Sequence, residues 1–185
     1  MSLTISNPFT IGKVAPNFKL VNTINSSFIE LNKYKGENGT AIFFICNHCP
    51  FVIHINKALV KMANDYEQKG IHFIAISSND VENYPQDNPE LMKKVAEDLQ
   101  YPFPYLYDKT QKVAKAYNAA CTPDLYLFNK DLKAVYHGQL DDSRPNNGIA
   151  ATGKDFRNAL DCLLQNKANI NVQKPSIGCN IKWKE

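Results

Sequence analysis

Two cysteines, Cys46 and Cys49, with His48 between them and Pro50 directly after, are the residues of this chain best suited to chemistry. A thiolate attacks disulfides and peroxides and binds soft metals. A C-x-x-C pair does more than a single thiol: one sulfur forms the adduct and the other resolves it. His48, next to Cys46, could donate a hydrogen bond to its thiolate, so a lowered Cys46 pKa is expected. The same pair is also half of a metal site, to which His48, His54 or Cys121 could add ligands. Copper(I) would suit two thiolates, but the sequence has no second C-x-x-C and no H-x-x-x-H, so a structural zinc site has little support. The plainest alternative is two small side chains filling a core.

The elements around the pair decide among these readings. "TAIFFI" (40–45) is a continuous apolar run, the pattern of a strand buried on both faces. "PFVIHINKALVKMANDYEQKG" (50–70) has apolar residues at helical spacing and ends in Gly70. The cysteines therefore fall where a buried strand passes into a helix. Free N–H groups and a partial positive charge at a helix start stabilise a thiolate. Pro50 fits the first turn, where the missing N–H costs little. That position favours the redox reading.

The rest of the chain reads as a hairpin (18–23 and 27–34), a second buried strand (71–77) and a helix over 88–100, with Asn88 as N-cap and Pro89 at its first position. An extended 102–108, a short helix over 110–118, a second hairpin (124–129 and 134–140), a helix over 153–167 and an extended tail (168–185) follow. Strand, helix, strand demands a parallel pair, and the hairpins add antiparallel strands. The expected product is an α/β fold: one domain over 1–185, with a mixed central β-sheet flanked by helices.

Composition narrows the function. The 185 residues are 44% hydrophobic and 21% charged, with net charge +3 and no basic block. Nucleic acid is not an expected partner. No apolar run approaches the ~20 residues of a membrane helix. The N-terminus shows no signal-peptide pattern, so a cytoplasmic protein is expected. Five cysteines, an odd number spread along the chain, do not suggest a disulfide framework.

Thr122-Pro123, just before the second hairpin, and the opening "GKVAPNFKLVNT" complete a pattern. With "FICNHCPFV", "SSNDVENYPQDNPELM", "YPFPYLYDKTQKVAKAYNAACTPDLYLFN", "GQLDDSRP" and "PSIGCNIKWK", the chain resembles the thioredoxin-like superfamily. Within it, the resemblance is to the C-x-x-C-containing peroxiredoxin-like proteins of the AhpC/TSA (redoxin) class. It implies a thioredoxin-like three-layer sandwich with an N-terminal β-hairpin extension. It implies that Cys46 is the exposed attacking thiol and Cys49 its resolving partner. Thr122-Pro123 would be a cis-proline turn whose free backbone binds an extended substrate, and 78–105 would be an insertion.

The chain departs from the family pattern in two respects. Thr40 stands where thioredoxins keep a buried carboxylate. In the peroxiredoxin motif, Cys49 takes the attacking position, with Cys46 in place of Thr or Ser and Ile42 in place of Pro.

Other candidates are Cys121 and Cys179, as additional redox thiols, and Arg144, as a holder of a peroxide or carboxylate. Cys162 reads as core, His54 as helix surface, and His72 and His137 as structural strand residues. The function expected is a thiol–disulfide oxidoreductase acting on a disulfide-containing protein or small molecule, restored by a thiol donor such as thioredoxin or glutathione. No metal or organic cofactor is expected. The alternatives are a thiol peroxidase and a metal-binding or metallochaperone protein using Cys46, Cys49 and a histidine.

Overall fold

The computed structural model describes residues 3–185. A seven-stranded mixed sheet forms its centre, in the order β3-β2-β6-β5-β4-β8-β9. The strands are β2 (Lys19–Asn22), β3 (Phe28–Glu30), β4 (Gly39–Phe44), β5 (Ile71–Ser77), β6 (Tyr105–Tyr107), β8 (Asp124–Asn129) and β9 (Ala134–Gly138). β4, β5 and β6 run parallel; β8 and β9 close one side antiparallel, and the β2–β3 hairpin closes the other through β6.

Alternation along β4 divides the core in two. Ala41 and Phe43 face one side, packed with α2 (Pro50–Glu67), α3 (Pro89–Asp98) and α5 (Lys154–Leu164). Ile42 and Phe44 face the other, packed with α1 (Leu31–Tyr34), α4 (Lys112–Ala116) and the segment carrying Phe9 and Phe18. Both faces of β4 are buried, as its apolar run requires. Phe43 meets the rings of Phe73, Phe103 and Phe156; truncating such a side chain to alanine costs about 3–5 kcal/mol. This is the expected three-layer α/β architecture, hairpin extension included.

Several boundaries differ from the sequence reading for local reasons. The second limb of the first hairpin stops at Glu30 and turns into α1. The short helix expected over 110–118 is confined to 112–116 by left-handed residues on either side, Gln111 and Asn118. The last helix ends at Leu164, with Asn166 left-handed just beyond. Asn88 caps α3 as expected, its side chain accepting the Leu91 N–H at 2.8 Å.

The larger difference is a second sheet. The tail is not merely extended: β10 (Ile177–Asn180) lies between β1 (Leu3–Ile5) and β7 (Cys121–Thr122), antiparallel to both. Gly178 permits this seat. A Cβ there would collide with the Thr122 carbonyl oxygen and crowd the Pro123 ring.

Candidate active site

The buried strand β4 delivers Cys46 through Ile45, and Cys49 is the N-cap of α2. The Cys49 carbonyl accepts the N–H groups of Val52 and Ile53, both at 3.0 Å, and Pro50 occupies the first helical turn. The pair thus sits at the helix start, as expected. Cys46 is buried rather than exposed, at 2% accessible, because Thr122 and the 78–88 loop close over it; Cys49 is at 0%.

Thr122 touches both sulfurs. Its hydroxyl lies 3.4 Å from Cys46 Sγ, and its carbonyl accepts from Cys49 Sγ at 3.1 Å. The Thr122-Pro123 bond is cis, as the resemblance implies. The backbone beside it is not free for a substrate, however. β10 already pairs there, aligning Cys179 with Thr122, and Cys179 Sγ reaches to 2.9 Å from Cys49 Sγ.

The two thiols of the pair are hydrogen-bonded, and the environment moves their pKa values apart. Donation to Cys49 holds the proton on Cys46; burial and the Asp87 charge add to this, so Cys46 is pushed well above an ordinary thiol rather than made acidic. Receiving that bond draws Cys49 down to about 5, against burial, with help from the Cys179 thiol and the backbone of Val52 and Cys179. The Thr122 carbonyl favours a protonated Cys49, and so does the Cys179 sulfur where Cys49 is the donor between them. Donation from Cys46, with the Val52 backbone at the helix start, outweighs them and favours the thiolate on Cys49. Burial, then the bond to Cys49, raises Cys179 to about 12.

His48 does not serve Cys46 as expected. Its Nδ1 lies 2.7 Å from Asp87 Oδ2, an ion-pair distance off the line of the ring N–H. Its ring stacks parallel to Tyr84, centroids 6.0 Å apart.

Asp87 is the functional candidate the sequence reading missed. It ends a 3-10 turn (Pro85–Asp87), is fully buried, and accepts the Asn47 N–H and the Asn79 amide, both at 2.8 Å. A buried carboxylate is thus supplied from the loop, beside Cys46. Thr40 itself only accepts the Gly36 N–H at 3.1 Å. The only available signal was a polar run, "SSNDVENYPQDN", between a strand and a helix.

For a metal, the trio of Cys46, Cys49 and a histidine does not assemble. Among the described residues, the group that does is Cys46, His48 and Asp87, with ligand atoms within 4.8 Å of one another.

Among the described residues, none of the remaining candidates hydrogen-bonds the pair. Cys121 Sγ donates to the Pro123 carbonyl at 3.6 Å, and burial pushes its pKa up. Arg144 lines a cleft with Phe51, His54, Pro123 and Ile177, but its guanidinium is engaged by the carbonyls of Asp141 and Ser143 and by the Gln139 side chain. It braces its own loop. Cys162 is half-buried on α5 rather than core, taking a 3.9 Å hydrogen bond from Asn158. His54 is half-buried, and its Nε2 has no partner. His137 pairs with Asp124 at 2.8 Å and His72 meets the Tyr34 carbonyl at 2.6 Å, both structural.

The AhpC/TSA family model matches residues 11–137. An uncharacterized conserved protein from Geobacillus kaustophilus is 61% identical, with a TM-score of 0.97, covering 100% of this chain and 97% of its own. A hypothetical protein from Sinorhizobium meliloti is 44% identical, with a TM-score of 0.95 and 98% of each chain covered. The thioredoxin domain of a thiol-disulfide oxidoreductase from Bacteroides vulgatus is 20% identical, with a TM-score of 0.62 over 73% of this chain and 92% of its own. This last likeness establishes a thioredoxin-like fold. No curated protein matches the chain. Among the described residues, no helix is long and apolar enough to cross a membrane.

Proposed function

Because this chain belongs to the AhpC/TSA family, we propose that it is a cytoplasmic thiol–disulfide oxidoreductase whose redox pair is Cys46 and Cys49. The observation that carries this reading is the contact of Thr122 with both sulfurs of the pair, whose pKa values their surroundings move apart. The Thr122 hydroxyl can donate to a Cys46 thiolate while its carbonyl accepts from a Cys49 thiol. Thr122 therefore supports the attacking form, in which the shared proton has moved from Cys46 to Cys49.

Cys46 Sγ bonds one sulfur of the substrate disulfide, whose S–S bond breaks, and the other half leaves as a thiolate. Cys49 Sγ then bonds Cys46 Sγ and breaks the mixed disulfide. The second half leaves, and the pair's proton goes with the products. The Cys46–Cys49 dithiol has supplied two electrons and is now a disulfide. A cellular dithiol, or two equivalents of a monothiol such as glutathione, restores it. Asp87 positions the loop before Cys49 through Asn47 and His48.

A second reading is favoured by the thiolate on Cys49. A buried thiolate excludes a folded substrate more readily than a small peroxide. In that reaction Cys49 takes one peroxide oxygen as a sulfenic acid, the other leaves as water or an alcohol, and Cys46 condenses with the sulfenic acid to release water.

Rapid mixing of reduced protein with a model disulfide and, separately, with hydrogen peroxide tests the choice. Fast reduction of the disulfide that depends on Cys46, with peroxide oxidising the protein no faster than a free thiol, supports the oxidoreductase. Fast peroxide consumption with slow disulfide reduction replaces it with the peroxidase.

A further inference from the structure

We infer that Cys179 is a third redox thiol, which takes over the disulfide from Cys46 to give a buried Cys49–Cys179 bond. This deepens the redox reading of the Cys46–Cys49 pair and rests on it. The two sulfurs lie 2.9 Å apart, roughly 0.9 Å beyond a disulfide bond length, so closure requires little movement. The approach is built into the fold. β10 is held between β1 and β7, its Cys179 is aligned with Thr122, and Gly178 is the residue that lets the strand come this close.

The exchange balances within the chain. Once substrate turnover has formed Cys46–Cys49, Cys179 as thiolate bonds Cys49 Sγ. The Cys46–Cys49 bond breaks, and Cys46 leaves as a thiolate that takes up the proton Cys179 released. No electrons enter or leave. Oxidation of Cys49 prepares Cys179 for this step. Burial, the bond to Cys49 and the Cys49 charge keep Cys179 protonated in the reduced protein; burial stays, but the last two vanish when Cys49 enters a disulfide, while Lys182 continues to favour the Cys179 thiolate. Cys179 is buried at 4% accessible, which an intramolecular exchange tolerates.

The consequence is that the oxidised protein presents Cys46 as a thiol again and stores the disulfide between the start of α2 and the C-terminal strand. A reducing partner then acts through Cys46, by the reverse exchange.

The test is disulfide mapping of the full-length protein. Fully reduced protein is oxidised with glutathione disulfide, quenched in acid, unfolded, alkylated with iodoacetamide and digested. The expected product is a Cys49–Cys179 peptide pair, with Cys46 alkylated or glutathionylated. Cys179→Ser and Cys179→Ala lose that pair and carry only Cys46–Cys49. The wild-type map decides the matter without depending on how either variant folds. Cys46–Cys49 alone in wild type, with disulfide turnover intact, overturns the role of Cys179 and leaves the proposed function standing. Neither disulfide formed, and no turnover, overturns both.

Discussion

The two sides of the cysteine pair are built from opposite materials. Cys46 faces the loop before α3, where a buried carboxylate is held by Asn47, Asn79 and His48. Cys49 faces the β7–β10 edge, where a backbone carbonyl and another thiol meet it. The bond between the two thiols holds the proton on Cys46 and draws the thiolate to Cys49; burial and the Asp87 charge on one side, and the Cys179 thiol on the other, add to the split. Two cysteines of one short motif are therefore made unlike by segments far from them in sequence. The C-terminal tail joins the two sides. Its β10 carries Cys179 to Cys49, while the Lys182 N–H and carbonyl bind Asn79 and Asp80 of the loop, both at 2.9 Å.

The comparison breaks outright if either sulfur proves dispensable. Cys46→Ser is expected to bring disulfide reduction down to the uncatalysed level. Cys49→Ser is expected to stop turnover and trap the substrate as a mixed disulfide on Cys46, seen as an added mass on the intact protein. A Cys49→Ser protein that still turns over would show that Cys49 does not resolve the adduct.

The loop side is tested by Asp87→Asn. Removing the charge lowers the Cys46 pKa; a shift of one unit would raise its thiolate fraction at pH 7 about tenfold and speed its alkylation by iodoacetamide roughly three-fold, since nucleophilicity falls with pKa. Slower alkylation would mean that Asp87 promotes loss of the Cys46 proton. For the tail side, Gly178→Ala forces β10 away from Thr122, at an expected cost of about 1–3 kcal/mol in denaturant unfolding. An unchanged midpoint would show that the strand shifts freely.

The proton distribution also sets a pH dependence. The folded Cys49 titrates at about 5, below the value of an unfolded thiol. Between those values the unfolded chain binds more protons, so stability rises with pH, by at most about 1.4 kcal/mol per unit. It is lost as pH falls through 5. The melting temperature of reduced protein should therefore climb from pH 5 to pH 8, and Cys49→Ser should flatten the climb.

The smallest effect belongs to Thr122→Val, which deletes the hydroxyl beside Cys46 but keeps the carbonyl beside Cys49. Removing a hydrogen bond worth about 1 kcal/mol should slow Cys46 alkylation several-fold, with thiolate absorbance locating the charge. An unchanged rate would place the hydroxyl's bond elsewhere.

Much of this frame was legible in the sequence because it follows from local pattern. β5 matches the apolar run 71–77 to the residue, and α3 begins at the Asn88-Pro89 signal. Both depend on periodicity and capping, which neighbours in sequence settle. The C-x-x-C at a strand-to-helix junction was legible for the same reason. β1 and β7 were not, since strands of three and two residues carry no periodicity and exist only through pairing with β10.

The sequence by itself thus determined the layers, the helix start and the two thiols upon it, because each is dictated within a few consecutive residues. Only the tertiary structure decided which sulfur the charge favours, that Asp87 places a buried carboxylate beside Cys46, and that Cys179 stands against Cys49. Those depend on electrostatics and packing between groups 40 and 130 positions apart. Burial and charge at such distances are set by how the chain closes on itself, which no local pattern encodes.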